Sequence, residues 1–313
     1  VRPAPDPIPV TLLAGFLGAG KTTLLNRILA ECHGERVAVI VNEYGAAGID
    51  GRLVVGVSDE LVELANGCVC CTVRGDLSRT LRRLLARRRA PDRVLIETSG
   101  LASPGPAAQT LLLDSELAGA YRLVGVLTMA HAANLPHQFD RHPEVAEQLA
   151  YADVVVLNHI DRTDSAGRER ARSLVRRVNA LAQVLETTRA DLPLAELLTP
   201  TSAFDTARAA RVPPVTHSSG VSTVALRARR PLDLHALKMW LRFVASRRGQ
   251  DLYRAKGLLH CAGHAESVVV QAMYEWMELG PGVGPAPEES LLVLIGDGLD
   301  GAEIERGWEA CLS

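Results

Sequence analysis

The 313-residue chain is 47% hydrophobic with a formal net charge of −2. That supports substantial cores and gives no bulk charge to attract nucleic acid or an anionic membrane. No apolar run reaches the ~18–20 residues that span a bilayer, and residues 1–7 show no apolar signal core, so the reading is a cytoplasmic protein with a short disordered lead. Six cysteines stay reduced there, and clustered ones point to metal or redox chemistry rather than to disulfides.

The first expected element is an apolar strand at residues 10–14. It feeds Gly15-Phe16-Leu17-Gly18-Ala19-Gly20-Lys21-Thr22-Thr23, and a helix follows from Leu24. This stretch fits G-x-x-x-x-G-K-[ST] at each fixed position. A strand running through a glycine loop into a helix N-terminus turns backbone N–H groups toward a phosphate chain. Gly15, Gly18, Ala19 and Gly20 would cradle the phosphates, Lys21 would reach the β/γ-phosphates, Thr22 would ligate Mg²⁺, and Thr23 continues the loop into the helix. Lys21 is one of only three lysines among the 34 basic residues. Binding of a nucleoside triphosphate is expected.

Residues 36–41 read as a buried parallel strand. The loop beyond it, residues 42–50, carries Glu43 and Asp50 where Mg²⁺ and a γ-phosphate would lie, or as plain solvated carboxylates. An apolar stretch at 61–64 leads into Cys68-Val69-Cys70-Cys71. Three thiols within four residues can converge on a soft ion such as Zn²⁺ or Cu(I) with a fourth position open; a redox or buried-thiol cluster is the other reading. A helix over 76–85, capped by Asp76, has arginines that read as a solvated face because no aromatic residues interleave with them. The strand at 92–97 ends in Glu97, placed to hold Mg²⁺ or its water, and the Gly100 amide would approach the γ-phosphate. Further strands are expected at 121–128, 153–157 and 184–186, with helices at 105–113, 144–149 and 168–181 between them. The alternation predicts a parallel sheet covered on both faces.

Asn158-His159-Ile160-Asp161 stands where P-loop GTPases carry N-K-x-D. The Asp161 carboxylate would accept hydrogen bonds from the guanine N1–H and N2–H₂ edge, Asn158 would hold the base site together, and His159 would lay a flat ring on the purine. The pattern then loosens around Pro213-Pro214. The expected division is a P-loop domain over 1–205, a linker over 206–220 and a smaller α+β domain over 221–313. In that last part strands are predicted at 221–228, 252–262, 267–277 and 291–295. Its helices are predicted from Pro231 to about 246 and over 302–312. Cys32 and Cys311 are expected to pack as small apolar groups, and His260 and His264 to mark a surface strand end.

Together, the P-loop at 15–23, Asn42-Glu43-Tyr44-Gly45, Asn66-Gly67-Cys68-Val69-Cys70-Cys71, Glu97-Thr98-Ser99-Gly100 and Asn158–Asp161 resemble the CobW-like GTPases, relatives of UreG and HypB. Leu252-Tyr253-Arg254-Ala255-Lys256-Gly257, Val269-Val270-Gln271 and Leu294-Ile295-Gly296 resemble the C-terminal domain of the same family. The resemblance implies a metallochaperone that hydrolyses GTP slowly with Mg²⁺, binds Zn²⁺ or Co²⁺ at the C-x-C-C cysteines and delivers it to a client metalloprotein or cofactor-synthesis enzyme. No nucleic-acid or membrane partner is implied, and a homodimer is the candidate assembly. Two rivals stand beside it: an activator protein whose thiols are structural, and a small-molecule kinase, for which no arginine-bearing lid is evident. There are three departures from the family pattern. His159 replaces the usual lysine, His131 stands where aspartate is common, and no histidine-rich run precedes the C-terminal domain.

Overall fold

The computed structural model describes residues 6–31, 34–41, 61–63, 71–198, 209, 212–218 and 220–313. Seven strands make one parallel sheet: β1 (Ile8–Gly15), β2 (Val37–Val41), β3 (Leu61–Glu63), β4 (Arg93–Glu97), β5 (Tyr121–His131), β6 (Val154–Asn158) and β7 (Gln183–Glu186). Their spatial order is β3-β2-β4-β1-β5-β6-β7. β2 and β6 are five-residue, β-branched runs buried at every position, as expected of strands covered on both faces. The connections are α1 (Lys21–Glu31), α2 (Cys71–Leu85), α3 (Gly105–Leu113), α4 (Ser115–Ala120), α5 (Leu135–Arg141), α6 (Pro143–Tyr151), α7 (Ser165–Val178) and α8 (Leu194–Leu198). The apolar face of α1, Leu24, Leu25 and Ile28, is fully buried against Val39, Leu95 and Val156 of the sheet. β1 lies between β4 and β5, with β2–β4 on one side and β5–β7 on the other. The end of β1 is therefore a topological switch point, where open α/β sheets bind ligands beyond the strand C-termini.

The C-terminal region is a six-stranded antiparallel sheet in the order β12-β11-β10-β13-β9-β8. Its strands are β8 (Val215–Ser218), β9 (Val221–Ala228), β10 (Leu252–Leu259), β11 (Glu266–Met273), β12 (Trp276–Pro285) and β13 (Ser290–Asp297). Helices α9 (Leu234–Arg248) and α10 (Gly301–Glu309) pack Leu237, Leu241, Ile304 and Trp308 against Leu226, Leu292 and Leu294. Both helices start on aspartate caps. Asp233 accepts from Ala236 N at 2.7 Å, and Asp300 accepts from Ala302 N and Glu303 N at 2.9 and 3.2 Å. Losing such a cap costs about 1 kcal/mol.

Backbone contacts divide the chain into two compact units, Val1–Gln148 with Ala152–Arg172 and Gln183–Thr201, and Leu149–Tyr151 with Ser173–Ala182 and Ser202–Ser313. Four local expectations are corrected. Asp76 does not cap α2, which already begins at Cys71; its carboxylate pairs instead with Arg79 one turn on. Pro231 lies outside α9, whose cap is Asp233. The single strand expected over 267–277 is a hairpin, because Tyr274 takes a φ of 56° and turns β11 back into β12. Residues 215–218, expected as linker, form the edge strand β8 against β9.

Candidate functional site

The loop after β1 has positive φ at Gly15, Gly18 and Gly20 (134°, 75° and 103°), a region open to glycine at little cost. At two of these positions space also demands glycine. A Cβ on Gly15 would collide with the backbone of Met129, its partner on β5, and one on Gly20 would collide with Asn158 Nδ2. Lys21 opens α1 with its side chain buried and donates from Nζ to Gly15 O at 2.8 Å. The ammonium is thus folded back across the loop. The loop itself closes through Ala19 N donating to Phe16 O at 3.2 Å. Thr22 is half-buried and Thr23 exposed in the first turn of this eleven-residue helix, whose leading N–H groups have no intrahelical acceptor.

Glu97 ends β4 in register with Leu13 of β1 and Val41 of β2, and is 4% exposed. Thr98 N donates to Leu13 O at 2.9 Å, which carries the strand edge on toward Gly100. Gln148 Nε2 donates to Gly100 O at 3.1 Å and to Ala102 O at 3.0 Å, fixing the turn beyond β4. Gly100 lies so close under Leu17 that a side chain there would displace the P-loop.

Asn158, at the end of β6, is fully buried. Its Nδ2 donates to Ala19 O at 3.0 Å, and its Oδ1 accepts from Ala190 N at 3.1 Å. One side chain therefore joins the P-loop, β6 and the turn after β7. In that turn Arg189 and Ala190 both have positive φ (55° and 56°). The part played by Ala190 is a site contribution that sequence reasoning missed; its one signal was a position just beyond a strand C-terminus. His159 is left-handed at φ 60°, which costs a non-glycine residue about 1–2 kcal/mol. Its ring stacks on His131, the last residue of β5, with centroids 4.4 Å apart and planes 22° apart. Burial pushes the His131 imidazole below its ordinary value; His159 and Arg162 act in the same direction and Asp161 opposes them. Asp161 is exposed in the short 3-10 turn that follows, with Arg162 Nε at 3.6 Å from its carboxylate.

Glu43, Asp50, Cys68 and Cys70 lie outside the described residues. Cys71 is the first residue of α2. Among the described residues no three His, Cys, Asp or Glu side chains gather as a metal site, and no helix is long and apolar enough to cross a membrane. In the second unit Cys261 and Cys311 are buried and free. Burial pushes the Cys261 thiol up and the Cys311 thiol to about 11.

A parallel sheet with a glycine–lysine loop at its switch point defines a P-loop nucleotide-binding fold. Residues 9–186 match the CobW/HypB/UreG nucleotide-binding domain, and residues 221–312 match the cobalamin synthesis protein CobW C-terminal domain. The chain belongs to the CobW/HypB/UreG family. It is 32% identical to "Zinc chaperone YjiA" of Escherichia coli over 97% of this chain and 98% of that protein. It is 40% identical to "Zinc chaperone CobW" of Pseudomonas aeruginosa over 61% of this chain and 59% of that one. It is 38% identical to "Zinc-regulated GTPase metalloprotein activator 1" of Schizosaccharomyces pombe over 58% of this chain and 46% of that one. The chain thus spans about half of the yeast relative and three-fifths of the Pseudomonas one. The solved structure of Zn(II)-bound YjiA GTPase from E. coli superposes with a TM-score of 0.74 at 26% identity, over 98% of this chain and all of that one.

Proposed function

We propose that the chain is a GTP-hydrolysing metallochaperone that takes Zn²⁺ or Co²⁺ on Cys68, Cys70 and Cys71 and passes it to a client metalloprotein or cofactor-synthesis enzyme. The observation that carries the nucleotide half is the clamp of Asn158 on Ala19 O, which couples the loop holding Lys21 to the strand end leading to Asp161. In this reading Lys21 and the backbone amides of α1's first turn hold the phosphates, and Gly100 lets the β4 turn approach the γ-phosphate. Asp161 reads the guanine edge, an arrangement that disfavours adenine because the adenine edge leaves a carboxylate without its donors.

The hard oxygen donors of Thr22 and Glu97, together with those the sequence offers at Glu43 and Asp50, suit Mg²⁺. The ion would neutralise phosphate charge, while Glu97 orients it or its water. The metal half rests on the chemistry of three thiols in four residues and on relatives named as zinc chaperones. The domain limits proposed are 1–205 and 221–313, and the proposed compartment is the cytoplasm.

Bound GTP and bound metal are proposed to share moving parts. The cysteines fall in the chain between residues 42–50 and β4, so GTP orders a tight thiolate site and hydrolysis relaxes it. Competitive titration of Co²⁺ against a chelator, read on the thiolate-to-metal absorption band, tests this. A non-hydrolysable GTP analogue with Mg²⁺ should tighten Co²⁺ binding over GDP about five- to 150-fold. Affinity should rise with pH and collapse in Cys70→Ser. Equal affinity in both nucleotide states would leave a constitutive metal site and refute the coupling.

A further inference from the structure

The stacked pair His131–His159 is a chain-specific piece of chemistry that the phosphate-binding machinery does not use. Each ring stands at the end of a central strand, β5 and β6. His131 is the register partner of Asn158, and Ala132 N donates to Asn158 O at 2.9 Å. His159 is held in a left-handed conformation, which persists only where its surroundings over-determine it. Two of those surroundings are visible. Asn158 before it is pinned to Ala19 and Ala190, and Ile160 after it donates from N to Thr187 O at 3.3 Å. The third constraint acts on the ring itself. His131 and His159 lie face to face with centroids 4.4 Å apart and planes 22° apart, a contact that holds each imidazole flat against the other. Nearly parallel rings cannot aim two nitrogen lone pairs at one ion, so this pair is not a chelate. It is a two-layer aromatic shelf, both members of which are half-buried.

We propose that His131 is the positioning residue of the base site: stacked beneath His159, it sets the plane on which a purine lies. The inference rests on the proposed guanine site at Asp161. A lysine in place of His159 would need no such support, because a flexible stem follows the base; an imidazole must be held flat. The shelf is also sensitive to protons. A proton on His131 would carry a charge that burial, His159 and Arg162 oppose and that, among the described residues, Asp161 offsets, and the stack would open.

GDP affinity, measured by calorimetric titration with melting curves as a folding check, tests the assignment. At pH 7.5 His131→Ala should weaken GDP about five- to tenfold, the scale of part of a base-stacking contact, and should raise KM for GTP more than it lowers kcat. His131→Phe keeps the stack without the proton and should bind as the wild type does. Between pH 7.5 and 5.5 the wild type should lose more affinity than His131→Phe; the difference between the two profiles cancels the titration of the nucleotide's own phosphates. Unchanged affinity in folded His131→Ala, or weak binding in folded His131→Phe, overturns the positioning role. Asp161→Ala runs alongside. If it relaxes GTP-over-ATP discrimination while His131→Ala does nothing, the positioning inference alone fails. If it changes nothing, the base-site reading fails and takes the inference with it.

Discussion

The two sheets of this protein handle their strand ends in opposite ways. In the parallel sheet Gly15, Glu97, His131 and Asn158 are the last residues of four strands, and the chain leaves each of them into a loop on the same edge. Parallel connection forces this, since each strand must travel back before the next begins. In the antiparallel sheet successive strands return directly, so β10–β11 and β11–β12 spend their ends on turns. Polar groups there serve the scaffold: Ser290 Oγ accepts from His260 N at 2.8 Å, and Asp233 and Asp300 cap helices. Chemistry gathers where topology leaves ends open.

If that contrast is right, the largest effect belongs to Lys21→Ala. It should lower GTP turnover on the order of 10²–10³-fold or more, as for loss of a charge facing the transferred phosphoryl group, with melting unchanged. Near-normal phosphate release would remove the loop from the mechanism. A cavity in the other unit should do the reverse. Leu241→Ala, at a fully buried position of α9, should cost about 2–4 kcal/mol. All three tryptophans, Trp240, Trp276 and Trp308, belong to the second unit, so denaturation followed by their fluorescence reads that loss locally. GTPase activity at 25 °C should persist, and its disappearance would show that the two regions are not separable in function. The smallest effect falls on Cys311. With its thiol pushed up to about 11, it stays protonated well above neutral pH and donates to Gly307 O at 3.2 Å, which makes it a packing group. Cys311→Ala should cost about 1 kcal/mol and leave zinc stoichiometry intact; loss of bound zinc would contradict the division.

Much of the parallel sheet was legible because its strands are covered on both faces and so read as unbroken apolar runs, as Val154-Val155-Val156-Leu157 does. The glycine–lysine loop was legible because its steric demands act at fixed short spacing. The clamp was not. Asn158 meets Ala19 and Ala190 across separations of 139 and 32 residues, and no local pattern encodes such a meeting. Gly20 shows the same limit: its place in the motif was plain, but its conflict with Asn158 appears only in three dimensions. In the second unit the turn at Tyr274 was hidden because it uses neither glycine nor asparagine, and the apolar alternation runs on through Trp276 and Met277. The start of α2 was missed because Asp76, a good cap by type, falls inside a helix that had already begun. His131 and His159 were both legible as departures, but their stacking was not, since the pairing depends on β5 and β6 being neighbours.

One of the two edge strands of the second sheet, β12 at the end opposite β8, carries one more consequence. Its far half, Gly280-Pro281-Gly282-Val283-Gly284-Pro285, is largely exposed, and its pairing with β11 shifts register between Glu266 and Val268. Prolines offer no amide hydrogen to an incoming strand, glycines give it no side-chain surface to grip, and a shifted register twists the border out of line. This rim of the sheet is therefore a poor template for another polypeptide, even though Val283 stands fully in water. In a crowded, concentrated solution this border keeps neighbouring copies from zipping together.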